Sequence, residues 1–172
     1  MSNAKIVLQV TGSIAAYKAC ALASMLVKEN YEVQVVMTEA AKAFVGTASF
    51  EGITGKRVKI DMFEEGSMME HINLVKWADL FILYPASANT INRLNCGLAD
   101  DIIGAAYLAN NFMRPYWIAP AMNSNMYAHR TVQDSLKKLE TDGCSVFETE
   151  EGPLACGDVG KGRVINPEIV YN

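Results

Sequence analysis

The stretch from Leu80 to Asn95, LFILYPASANTINRLN, restricts the possible folds of this chain more than any other. Its first five residues, Leu80, Phe81, Ile82, Leu83 and Tyr84, show no polar alternation and run directly into Pro85. A short, uniformly apolar run of this kind is the pattern of a parallel strand covered on both faces. Behind it, Ser87, Asn89 and Thr90 open a helical pattern. A strand that ends in such a turn gathers unpaired N–H groups, hydroxyls and the positive end of a helix dipole at one spot, and anions bind there. Taken alone, Ser87 is better explained as an ordinary helix cap. Two further strand ends with the same chemistry shift the weight toward a site.

The first of these follows Lys5 to Val10 (KIVLQV), a β-branched strand that breaks at Thr11-Gly12-Ser13 before helical spacing from Ile14 to Glu29. Glu32 to Met37 is a second strand, and Thr38 stands where it would cap the short helix that follows, as far as Gly46. Thr47 to Gly55 reads as another short helix. Lys56 to Glu70 shows no clear period and reads as a loop or lid. After the central turn, Ala99-Asp100-Asp101 caps a helix ending near Asn110 and Asn111. Tyr116 to Ala119 is a fourth strand, leading through Pro120-Ala121-Met122-Asn123 to a helix expected from about Asn125 to Thr141. Cys144 to Glu148 is the last expected strand. The remainder, EEGPLACGDVGKGRV, with four glycines and a proline, reads as a long functional loop or flap.

Strands alternating with helices at this spacing predict an α/β fold: a three-layer sandwich with a doubly wound, mostly parallel sheet and ligands beyond the carboxyl ends of the strands. At 172 residues the chain fits one domain spanning 1–172, long enough to bury about 70% of its unfolded surface. A formal charge of −4 gives no electrostatic footprint for nucleic acid or an anionic membrane, so any phosphate must be held locally. No run approaches the roughly 18 apolar residues of a membrane span, and MSNAKIVLQV enters a strand without a signal region. The expectation is a cytoplasmic protein. Cys20, Cys96, Cys144 and Cys156 form no CxxC pair, which argues against a zinc or redox motif and leaves no metal site expected.

The first loop, TGSIAAYK, is not GxGxxG, so a dinucleotide site of the usual kind is disfavoured. A single Gly12 flanked by hydroxyls suits one phosphate and, with Ser87, Asn89 and Thr90, would hold a mononucleotide such as FMN; a plain strand-to-helix turn explains Gly12 equally well. His71 stands at the end of the aperiodic segment, where a neutral imidazole would suit a general base, although a lone histidine is more often structural. His129 is expected mid-helix and on the surface. In PAMNSNMY, Asn123 can offer an amide to a carboxylate while Met122 and Met126 line an apolar wall; a cap followed by core methionines is the competing explanation. Cys156, between glycines on a polar loop, is in no core position and reads as reactive.

These groups, in this order, resemble the flavin-containing cysteine decarboxylases, and most closely those acting on phosphopantothenoylcysteine in coenzyme A biosynthesis. The resemblance rests on GSIAAYK at Gly12 to Lys18, His71, PASANT at Pro85 to Thr90, GLADD at Gly97 to Asp101, PAMNSNMY at Pro120 to Tyr127 and LACGDVGKGR at Leu154 to Arg163. Tyr127 stands where the family pattern has Trp, which keeps an aromatic wall. The resemblance implies a flavodoxin-like or Rossmann-like sandwich assembled as a homotrimer or a trimer-based dodecamer, with FMN near the subunit contacts. By motif, FMN would contact Gly12, Ser13, Ile14, Thr38, Ser87, Ala88, Asn89, Thr90 and Ala121, while Asn123 and Met126 would meet the substrate. His71 would be the base and Cys156 the acid. The implied reaction oxidises the cysteine thiol of 4′-phosphopantothenoylcysteine to a thioaldehyde, loses CO₂ to give an enethiol, and returns the electrons to give 4′-phosphopantetheine. Many bacterial relatives fuse this domain to a ligase, so this chain is expected to be a free-standing decarboxylase. A peptidyl-cysteine decarboxylase would lack Cys156, a flavin prenyltransferase would lack the joint PAMN and cysteine motifs, and a non-catalytic flavin module would leave His71, Asn123 and Cys156 unexplained.

Overall fold

The computed structural model describes residues 3–62, 68–153, 157 and 159–171. Its centre is a five-stranded sheet in which every pairing is parallel, in the order β2-β1-β3-β4-β5. The strands are β1 (Lys5–Val10), β2 (Glu32–Met37), β3 (Leu80–Ala86), β4 (Tyr116–Pro120) and β5 (Ser145–Val146). β1 is completely buried after its first residue and β3 likewise, as their unbroken apolar runs require.

Helices cover both faces. On one, α1 (Tyr17–Lys28), α2 (Thr47–Thr54) and α8 (Pro167–Tyr171) pack over Leu8, Val35, Ile82 and Ala119. On the other, α3 (Glu70–Trp77), α4 (Ala88–Asn95), α5 (Ile102–Asn110) and α7 (Arg130–Thr141) pack over Val7, Phe81, Leu83 and Ile118. The expected three-layer α/β sandwich is therefore present. The order 2-1-3-4-5 is that of flavodoxin-like sheets, whose strand direction of winding reverses between β1 and β3; the crevice beyond those two strand ends is where such sheets bind ligands.

Four expectations need correction. The aperiodic segment is expected to run as loop to Glu70, whereas α3 already starts at that residue and continues through a stretch to which the sequence reading gave no element. It buries Leu74 and Val75, and no side chain caps its start at Met69, which removes the usual sequence signal. The helix expected from Asn125 to Thr141 is two: α6 (Ser124–Ala128) and α7, separated by His129 in an extended conformation (φ −62°, ψ 131°). His129 is accordingly a cap rather than a mid-helix residue, its Nδ1 accepting the Thr131 N–H at 3.2 Å. The last parallel strand is only two residues long. Finally, the glycine-rich remainder contains an antiparallel pair, β6 (Glu150–Pro153) with β7 (Val159–Arg163). β3 also runs further than expected, through Pro85; the missing N–H of proline coincides with a register shift against β4 between Leu83 and Ala86.

Candidate functional site

A cavity of about 1010 Å³ opens beyond the carboxyl ends of β1, β2, β3 and β4. Its walls include the sequence-predicted residues Gly12, Ser13, Ile14, Thr38, Ser87, Ala88, Asn89, Thr90, Ala121, Asn123 and Met126. Residues spread over more than a hundred positions are thus brought together by the parallel sheet.

Five of the lining residues are helix caps. Ser13 accepts the Ala15 N–H at 3.2 Å, Thr38 the Ala41 N–H at 3.2 Å, Ser87 the Thr90 N–H at 3.4 Å, Asp101 the Gly104 N–H at 2.7 Å, and Asn123 the Asn125 N–H at 2.8 Å. Each therefore marks a helix N-terminus that faces the same space, where backbone donors and dipoles favour an anion. Ser87 also sets its hydroxyl 3.2 Å from that of Thr90. In Asn123 the carbonyl oxygen serves the cap.

The loops that carry these caps are stitched to one another. The Thr38 N–H donates to the Val10 carbonyl at 3.0 Å, and the Ala121 N–H to the Ala86 carbonyl at 2.9 Å. Between them, the fully buried Thr11 hydroxyl donates to the Pro85 carbonyl at 2.6 Å and accepts the Ser87 N–H at 2.9 Å. Gly12 is required by contact: a Cβ there would lie 2.8 Å from that of Ala40, closer than real side chains approach. The β6–β7 hairpin closes another side of the cavity with Gly162, Arg163 and Val164, and it is fastened by the Met122 N–H donating to the Gly162 carbonyl at 2.9 Å.

Sequence reasoning gave no role to several other lining residues. Lys18, one helical turn beyond the first loop, donates to the Asn166 side chain at 3.2 Å, and burial, with the nearby Arg163 charge, holds its pKa below the usual lysine range. Arg163 itself lies 3.8 Å from the Glu150 carboxylate. Glu39, Phe44 and Tyr17 also line the cavity. Ile14 and Tyr17 are more than 60% exposed, and Phe44 and Met126 are 49% exposed, so the mouth is an apolar rim open to solvent.

One expected site residue is not brought into the cavity wall. His71 lies in the first turn of α3, outside the cavity wall; because α3 runs back toward the start of β3, that turn is on the same edge of the sheet as the cavity. Its Nδ1 is buried without a hydrogen-bond partner among the described residues. Cys156 lies outside the described residues. No cluster of metal-ligating side chains occurs among the described residues, and no helix there is long and apolar enough to cross a membrane.

Comparison with known proteins agrees with this geometry. A family model described as Flavoprotein matches residues 1–171. The coenzyme A biosynthesis bifunctional protein CoaBC of Bacillus subtilis is 45% identical over 172 residues, and that of Escherichia coli K12 is 40% identical over 174. The match takes in 99% or more of this chain and 42% of either relative, so the chain spans about two fifths of the length of these curated relatives. Among solved structures, a PPC decarboxylase mutant complexed with pantothenoylaminoethenethiol superposes with a TM-score of 0.89 at 29% identity, covering 99% of this chain and 95% of the other. The FMN binding protein AtHal3 superposes with a TM-score of 0.84 at 28% identity, covering 99% and 94%. With a family model matched along nearly its whole length, on a sheet order and a cavity of the expected kind, this chain belongs to the Flavoprotein family.

Proposed function

We propose that residues 1–172 form one domain that binds FMN and decarboxylates 4′-phosphopantothenoylcysteine to 4′-phosphopantetheine. The observation that carries the reading is the convergence of five helix caps on one cavity at the β1/β3 crevice. The likeness to CoaBC proteins and to a PPC decarboxylase supports it. The donor set fits FMN: the neutral caps Ser13, Thr38 and Ser87 with the adjacent backbone N–H groups suit a phosphate, whereas Asp101 is itself an anion and does not, and the apolar rim of Ile14, Phe44 and Met126 suits a flat ring. Bound there, FMN supplies a two-electron oxidant for the thiol and later returns the same pair of electrons.

The chain's own residues would then divide the work. Ser13, Thr38, Ser87 and Thr90 hold the cofactor, with Gly12 letting the first loop close on Ala40. Asn123 orients the substrate carboxylate as a neutral donor, and Met126 walls it in. A cation in that role would stabilise the carboxylate in the ground state and oppose CO₂ loss; an amide does not. His71 takes the thiol proton in the oxidative half. Cys156 returns a proton from its thiol to carbon at the end.

A base outside the wall of its own cavity must reach the substrate from elsewhere. A homotrimer, or a dodecamer of trimers, with FMN at the subunit contacts would bring His71 of one copy to the open, apolar rim of another, and would cover that rim. The substrate is a small molecule and we assign the protein to the cytoplasm. The test is direct. Purified protein should show an oxidised-flavin absorption spectrum and convert 4′-phosphopantothenoylcysteine to CO₂ and a new thiol; a protein that stays colourless and cannot be reconstituted with FMN removes the reading. Mixing His71→Asn and Asn123→Asp subunits before reassembly should restore part of the activity if His71 acts across copies.

A further inference from the structure

Thr11 is the one hydroxyl of the first loop that points away from the cavity. It is 0% exposed, and both faces of its oxygen are used on a single target, the turn after β3: it donates to the Pro85 carbonyl at 2.6 Å and accepts the Ser87 N–H at 2.9 Å. Ser87 is the cap of α4, an eight-residue helix whose first turn lines the cavity with Ala88, Asn89 and Thr90. The first residue of β3 beyond Leu83 to pair again with β4 is Ala86, so the two residues between, including a proline without an N–H, have no ladder bonds to β4 to fix the turn. Thr11 supplies that fixation from the neighbouring strand. Without its hydroxyl, the Pro85 carbonyl and the Ser87 N–H would each lose a buried hydrogen-bond partner. The turn would have to move to find others.

We propose that Thr11 is a positioning residue that sets the N-terminus of α4 against the phosphate monoester of the bound cofactor. This rests on the flavin reading above. The consequence is selective, because a helix N-terminus displaced by a fraction of an ångström loses geometry toward a dianion much more than toward a neutral polyol or ring. Riboflavin, which lacks the phosphate, should be indifferent to the change.

The experiment measures binding of FMN and of riboflavin to the flavin-free protein by fluorescence quenching, for wild type, Thr11→Val and Thr11→Ser. Thr11→Val keeps the shape and removes the hydroxyl; it should raise the Kd for FMN about tenfold, the effect of one lost buried hydrogen bond, and leave that for riboflavin unchanged. Thr11→Ser should restore the wild-type Kd. An unchanged FMN affinity in Thr11→Val, an equal loss for both flavins, or a serine variant as weak as the valine one overturns the proposal. Should Thr11→Val fail to fold, amide exchange in the wild type decides: slow exchange of the Ser87 N–H in the flavin-free protein supports the latch, and exchange at the rate of an open loop refutes it. A wild type that binds neither flavin refutes the flavin reading itself, which is a separate outcome from variants that bind both as wild type does.

Discussion

Gly162 joins the hairpin to the rest of the cavity, and replacing it with alanine tests whether that junction matters. Its φ is +128°, a region that side chains rarely adopt, and a Cβ there would overlap the Met122 carbonyl oxygen and lie 3.3 Å from the carbonyl carbon. The backbone strain is worth roughly 1–2 kcal/mol. Relieving the overlap means moving β7 away, which breaks the 2.9 Å bond from the Met122 N–H to the Gly162 carbonyl and the 3.1 Å bond from the Gly162 N–H to the Thr149 hydroxyl. At about 1 kcal/mol each, these bring the total to about 3–4 kcal/mol. A chain of this size loses about 2–4 °C of Tm per kcal/mol, so Gly162→Ala should melt about 6–16 °C below wild type by calorimetry. Turnover of 4′-phosphopantothenoylcysteine should fall with it, since Gly162, Arg163 and Val164 are wall residues. Gly52→Ala is the control: nothing lies within 4 Å of its Cβ and it is in the middle of α2, so it should gain about 0.5–1 kcal/mol. A Gly162→Ala protein with wild-type Tm and wild-type turnover would refute the reasoning.

Asn123→Asp should keep its cap bond to the Asn125 N–H, because aspartate caps as well as asparagine, yet abolish turnover by setting like charge against the substrate carboxylate; near-normal turnover with a normal flavin spectrum removes the assignment. His71→Asn should leave Tm and flavin content unchanged while stopping both flavin reduction and CO₂ release in a single turnover, and a wild-type rate of CO₂ release would make His71 structural. Cys156→Ser replaces a thiol with a hydroxyl, a far weaker acid, so CO₂ should still be released once while the product stalls as an enethiol two hydrogens lighter than 4′-phosphopantetheine; ordinary product at the wild-type rate, read by mass spectrometry, dismisses Cys156 as the acid.

The sheet could be read from the sequence because parallel strands buried on both faces leave unbroken apolar runs, and β1, β2 and β3 begin where KIVLQV, EVQVVM and LFILY begin. The elements that escaped reading are those whose signals depend on tertiary contact. α3 has two buried residues and no side-chain cap, so the segment EHINLVKW carries little periodicity of its own. Nothing in YAHRTV announces a break, since His129 ends one helix and caps the next through a ring nitrogen and not through a proline or glycine. In the hairpin, glycine is a packing requirement: Gly162 must approach the Met122 carbonyl, and a Cβ at Gly160 would lie 3.1 Å from that of Ser124. Local composition records such glycines only as loop.

For the site residues, capping and binding do not exclude each other. A hydroxyl that caps uses its oxygen as acceptor, and it still owns a proton to donate. Ser13, Thr38 and Ser87 each accept one backbone N–H and each line the cavity, so capping aims the adjacent backbone donors at a single space, with the Ser87 O–H itself donated to the Thr90 hydroxyl. Of the two hydroxyls flanking Gly12 that the sequence offers to a phosphate, the one on Thr11 is used differently. A buried hydroxyl that spends both its donor and its acceptor on the turn after β3 offers a ligand nothing directly. Its partner at position 85 lies 74 residues away, a separation at which no sequence window connects them, and only the adjacency of β1 and β3 in the sheet makes it a determinant of the site.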